Sequence, residues 1–351
     1  MQAPVIHIIG LTSIVRKRLL PVSGTVLARL NQKVNPVDVI AETSWAHEHA
    51  LLDVARLLRV TPTVADRLVK CKVGDLIGAN TELAVAKGLF PRSVRAPREG
   101  RVVAAAGGQV LMEVGETKTV LKAGIPGTVV EIIPDRGVVI QTAGSLIQGV
   151  WGNGRIDSGV LVNLTEKPDS ILAAGRLDVS LRGSIILAGM VKDAETLLAA
   201  AELPVRGLIL SSIYPSLVQK AREMHYPIMV TDGFGSMPMN SAAYKLLSTN
   251  AKRDVTVDAE IYDRYSGTRP EVIIPLPIST NPSVPHEVET FAPGLQVRMS
   301  RPPAMGMIGL IVAIKPGLTT LPSGLRAPAA EVKLENDETI FAPLVNLEVV
   351  G

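Results

Sequence analysis

Three short phrases of this chain share one pattern, and no other feature limits its fold as much. They are Pro21-Val22-Ser23-Gly24-Thr25-Val26, Pro97-Arg98-Glu99-Gly100-Arg101-Val102 and Gly124-Ile125-Pro126-Gly127-Thr128-Val129. Each sets a chain breaker, then a glycine, then valine at the mouth of an apolar run. Glycine reaches backbone angles that other residues resist, and valine favours extended chain. A second phrase repeats beside two of them: Lys33-Val34-Asn35-Pro36-Val37-Asp38-Val39-Ile40 and Lys72-Val73-Gly74-Asp75-Leu76-Ile77. Together they predict small β modules. They specify no reaction.

A length of 351 residues exceeds one ordinary core, so two or three domains are expected. Apolar residues make up 47%, enough for packed cores and too many for a disordered chain. Aromatics are only 3%, so Val, Ile, Leu and Ala must fill those cores. The same scarcity weakens any reading that stacks bases or sugars on rings. The one cysteine, Cys71, excludes an intramolecular disulfide and a thiolate metal site, and it reads as a small apolar filler. No metal site is expected. The run Val5-Ile6-His7-Ile8-Ile9-Gly10 precedes Arg16-Lys17-Arg18, the reverse of a signal peptide's order. No stretch approaches the ~18 apolar residues of a membrane span. A cytoplasmic protein without such a span is expected.

The net charge of +3 hides an asymmetry: residues 1–150 carry eighteen basic against twelve acidic side chains, the remainder eighteen against twenty-one. Arg92, Arg95, Arg98 and Arg101 recur every third residue. On an extended chain that spacing alternates faces. A solvated rim around a turn is the simpler reading, and a phosphate contact is the alternative.

Residues 1–150 read as short strands broken by a helical insertion over about 44–69. Ser44 would cap a helix holding Leu51, Leu52, Ala55, Leu57 and Leu58, and Thr61-Pro62 would open a second. Val73-Gly74-Asp75-Leu76-Ile77-Gly78, Leu83-Ala84 and Ala96-Pro97-Arg98-Glu99-Gly100-Arg101-Val102 follow in that order. This stretch resembles the barrel-sandwich hybrid of biotinyl and lipoyl domains, especially as found in the family of the C component of the electron-transport complex. The resemblance implies a fold and little of function. That family's iron–sulfur chemistry does not carry over, because one cysteine cannot hold a cluster.

Residues 151–182 form a glycine-rich connection. Over 183–277 apolar strands at 184–188, 207–210, 227–230 and 271–276 alternate with helices at 193–203, 215–225 and 241–249. That alternation predicts an open parallel α/β sheet with helices on its faces. A proline-rich linker is expected over 278–289. Residues 290–351 resemble a KOW or SH3-like small barrel through Gly294-Leu295-Gln296-Val297-Arg298, Gly306-Met307-Ile308-Gly309-Leu310-Ile311 and Pro343-Leu344-Val345-Asn346. The expected fold class is therefore multi-domain β and α/β.

Ligands of parallel sheets sit beyond the carboxyl ends of the strands. Those ends are Gly189, Ser211-Ser212 and Thr231-Asp232-Gly233-Phe234-Gly235. Asp232 there would accept a sugar hydroxyl or cap a following helix, and it is expected at the surface. No Gly-x-Gly-x-x-Gly and no Gly-Lys-Ser/Thr is present. Glu116-Thr117-Lys118-Thr119 resembles the lipoyl hairpin, but Lys118 lacks the acidic residue before it and the Met-Lys-Met of biotin carriers. Lys118 is thus expected to be an unmodified turn lysine, and no cofactor is expected. His47 and His49 flank Glu48 but would point apart on a helix, and no His-Glu-x-x-His occurs. From residue 290 onward basic and acidic residues balance at five each, which gives no phosphate-seeking field.

No complete catalytic constellation is present. A non-enzymatic binding or assembly protein with a protein partner is the leading expectation. One alternative is an enzyme or sensor holding a phosphorylated or nucleotide ligand at the strand tips. The other is an RNA- or transcription-associated factor.

Overall fold

The computed structural model describes residues 2–46, 48–87, 91–263, 265–277 and 282–351; His47 therefore lies outside the described residues. The chain is strand-rich, with several sheets. Among the described residues the largest has twelve strands. At its centre Ile156–Asn163, Ser184–Val191, Gly207–Ile213 and Ile228–Phe234 run parallel. Ser184–Val191 and Gly207–Ile213 are buried at every residue, which explains their largely apolar sequence. Their side chains divide by alternation. Ile186, Leu208, Leu210 and Val230 pack with Leu197 and Ala200 of helix Ala194–Glu202 and with Ala221 of helix Val218–Glu223. Ile185, Leu187, Ile209 and Met229 pack on the other face with Ala243 and Leu247 of helix Ser241–Thr249.

The sheet continues in antiparallel pairings. Asp254–Asp258 and Glu271–Pro275 join it to Gly137–Gln148, which in turn pairs Ile8–Leu19 and Gly127–Ile133. The central sheet is therefore mixed, and strands from before residue 150 build part of it.

Among the described residues the N-terminal half also holds two smaller sheets of three or four strands, beside the pair Glu82–Ala86 and Arg92–Arg95. One orders His49–Asp53, Gln109–Glu113, Gly100–Ala106 and Leu76–Ile77; the other orders Glu116–Lys122, Val39–Ala46 and Thr25–Val26. The expected helix from Ser44 is not formed. Ser44 lies in Val39–Ala46, and Ala50, Leu51 and Leu52 pair with Met112, Leu111 and Val110. Helix begins only at Val54, where the Asp53 carboxylate accepts the Arg56 N–H at 2.9 Å. Long-range strand pairing has overridden a locally helical pattern.

The three repeated glycines do occupy equivalent places, but not for the expected reason. None of Gly24, Gly100 and Gly127 has a positive φ. An added Cβ would instead run into a carbonyl oxygen of the neighbouring strand, that of Glu42, Glu113 or Gln141 respectively. Close approach of two backbones excludes a side chain there. The second repeat is also structural. Asp38 accepts the Asn35 N–H and Asp75 accepts the Lys72 N–H, both at 2.8 Å, closing the same turn.

The last sheet orders Val288–Thr290, Gln2–Ile6, Leu347–Val350, Gln296–Met299, Ile308–Ile314, Ala329–Leu334 and Thr339–Pro343. Ala3 and Val5 complete a core with Val297, Ile311, Val332 and Val349. The chain's first strand thus belongs with its last. The segment before residue 290 is not a free linker in its described part: Thr12 Oγ1 donates to the Ser283 carbonyl at 2.9 Å, and the Val5 N–H donates to the Glu287 carbonyl at 3.0 Å. His7 Nε2 lies 3.1 Å from the His286 carbonyl.

Candidate functional site

Gly189, Ser211, Ser212, Thr231, Asp232 and Gly233 lie toward the carboxyl ends of the parallel strands, and Gly235 just follows the last of them. Asp232 is not at the surface. Its side chain is fully buried. It accepts the Thr231 hydroxyl at 2.7 Å, the Asn240 N–H at 3.1 Å and the Asn240 side-chain amide at 2.9 Å. Asn240 is the N-cap of helix Ser241–Thr249, so Asp232 orients the cap rather than being it.

The third partner residue comes from 66 residues away. Arg298, on Gln296–Met299, reaches Asp232 Oδ1 at 3.5 Å through Nη1 and donates to the Thr231 carbonyl at 3.0 Å. Its Nε and Nη2 donate to Glu348 Oε2 at 3.0 and 2.6 Å. Ser241 also bonds Glu335. Burial pushes the Asp232 carboxyl above the usual carboxylate range, while Arg298 and the hydrogen bonds from Asn240 and Thr231 oppose that rise.

Ser212, Gly189 and Ser211 are enclosed as well. Ser212 donates to the Met237 carbonyl at 2.9 Å and accepts its N–H at 3.0 Å. Gly189 takes φ 72°, and a Cβ there would strike the Ser170 carbonyl. Ser211 is buried, with no partner for its hydroxyl among the described residues. At the edge expected to meet a ligand, Asp232 and Thr231 are thus engaged by Arg298 of the C-terminal sheet, while Gly233 and Gly235 are partly exposed. Neither Arg298 nor Asn240 was legible as a site residue, since no local pattern ties either to a strand tip.

The four spaced arginines do not converge. Arg92 and Arg95 lie on Arg92–Arg95, Arg101 lies on Gly100–Ala106, and Arg98 between them pairs with Glu48. Lys118 lies within Glu116–Lys122, opposite Ser44, and not at a turn. Cys71 packs beside the core of the smaller sheet, and burial raises its thiol.

A second charged group ties Ile8–Leu19 to Asp254–Asp258 and Glu271–Pro275 within the largest sheet. Arg16 clasps Glu271 through two bonds of 2.6 Å, and Arg18 reaches Asp258 at 3.2 Å. Asp258 and Glu271 are direct cross-strand neighbours. Burial pushes Asp258 up to about 6, with Arg18 opposing and Glu271 and Glu260 adding to the rise. Among the described residues no cluster of histidine, cysteine and carboxylates suits a metal ion, and no helix is long and apolar enough to cross a membrane. No protein-family model matches the sequence, and no curated protein matches it.

Proposed function

We propose that this chain is a non-enzymatic binding or assembly protein built from small β modules around a parallel-stranded α/β core. One observation carries the reading: Asp232 and the Thr231 carbonyl, at the strand tip where such a core would hold a substrate, are engaged by Arg298 and Asn240. The repeated glycine and aspartate turns support a barrel-sandwich-like module in the N-terminal half. The antiparallel order from Gln296 to Val350 supports a KOW or SH3-like barrel at the end.

The partner of this reading is a protein rather than a nucleic acid. Of the five basic residues after residue 290, Arg298 is buried, Lys315 pairs with Glu331 and Lys333 pairs with Asp337. Little free positive charge is left to seek phosphate. Exposed apolar residues instead mark the N-terminal modules, among them Leu30, Leu51, Val73 and Leu76. Native mass spectrometry of gently purified protein tests the reading. A complex of fixed stoichiometry is expected. A free monomer that turns over members of a phosphoester and nucleotide panel would contradict it.

A further inference from the structure

A cleft of about 570 Å³ opens at the opposite, amino-terminal edge of the parallel strands. It lies where the turn at Asn35 faces the start of Asp254–Asp258. Its volume falls within the roughly 300–1,000 Å³ of small-molecule sites. We propose that this cleft binds a small phosphorylated metabolite through its phosphate group.

Three cations line it: Arg206, Lys252 and Arg253. Among the described residues neither Lys252 nor Arg253 has an ion-pair partner, and the nearest carboxylate to Arg206 is Asp157 at 3.9 Å. Asp254 is the only acid in the wall among the described residues. The cations are held in place by backbone. Lys252 takes φ 71°, and its N–H donates to the Leu161 carbonyl at 2.7 Å. The Leu161 N–H donates back to the Arg253 carbonyl at 2.9 Å. A lysine in the left-handed region is sparsely populated and persists where its surroundings fix it. Arg206 donates to the Ser158 carbonyl at 2.8 Å and lies across Gly159, where a Cβ would come within 3.2 Å of its stem. The missing side chain makes room for that stem.

Thr256 is a second, independent pointer. It lines the same cleft, is 1% exposed, and its hydroxyl has no hydrogen-bond partner among the described residues. A buried hydroxyl left unpaired is unfavourable, and a ligand oxygen would satisfy it. A guanidinium and two further cations suit the several oxygens of a phosphate better than a single carboxylate. No aromatic side chain lines the cleft among the described residues, so recognition rests on the anionic group.

Isothermal titration of the full chain with pyrophosphate and with a hexose phosphate tests the proposal. Saturable binding is expected for at least one probe. The double variant Lys252→Asn with Arg253→Gln should weaken it about tenfold or more, which is the loss of roughly one charge-assisted contact. Asparagine tolerates the left-handed angle, so the turn should survive. Thr256→Val should weaken binding while leaving the melting temperature without probe unchanged or higher. A purely structural threonine would lower that temperature instead. No saturable binding of either probe, or affinity untouched by the double variant, would overturn the proposal. Neither outcome bears on whether the chain assembles with a protein, which native mass spectrometry reads separately.

Discussion

Gly24, Gly100 and Gly127 announce their importance by spacing, yet freedom of backbone angle is not its cause. Their backbones are ordinary, and it is the opposing carbonyl that excludes a side chain. A sequence shows that a glycine recurs; it does not show which strand presses against it. Gly100→Ala should therefore force Gly100–Ala106 away from Gln109–Glu113 and destabilise by about 1–3 kcal/mol in urea unfolding, as overpacking does. Asp258 gives a second test at this scale. Its folded value of about 6 lies above the usual 3.8. The stability it contributes is present below the usual value and is lost as pH rises toward the folded one. Wild type should thus lose up to about 3 kcal/mol relative to Asp258→Asn between about pH 4 and pH 7. Unfolding midpoints of the two proteins across that range check the sign.

The strands and helices from Ser184 to Thr249 were legible because both faces of the sheet are covered, which leaves an apolar signature in each strand. The helix expected from Ser44 failed where pairing with Gln109–Glu113 decides the structure. The proline-rich stretch before residue 290 misled for a related reason. Composition suggested a loose linker, but Val288–Thr290 is an edge strand beside Gln2–Ile6. Limited proteolysis should accordingly spare residues 283–290. Val5→Asp should place an unpaired charge in that core, destabilise by roughly 3 kcal/mol and open the segment to cutting. Ready cleavage there in the wild type would contradict the clasp of first strand on last.

At the scale of the whole molecule, the sequence suggested units in series, and the strands cross between them. Ile8–Leu19 joins the central sheet and Gln2–Ile6 the C-terminal one. Arg298 then locks that terminal sheet onto the central strand tips. The lock was not legible, because its partners lie far apart in sequence and each looks like an ordinary surface residue. It is also the feature on which the assembly reading rests. Urea unfolding of Asp232→Ala, with and without a nucleotide and sugar-phosphate panel, tests it most directly. Removing one partner of a buried, hydrogen-bonded pair should destabilise by about 3–5 kcal/mol, with the variant losing none of the wild type's response to the panel. A change within about 0.5 kcal/mol, together with loss of a ligand-induced shift, is the behaviour of an exposed ligand-facing carboxylate and would contradict the account.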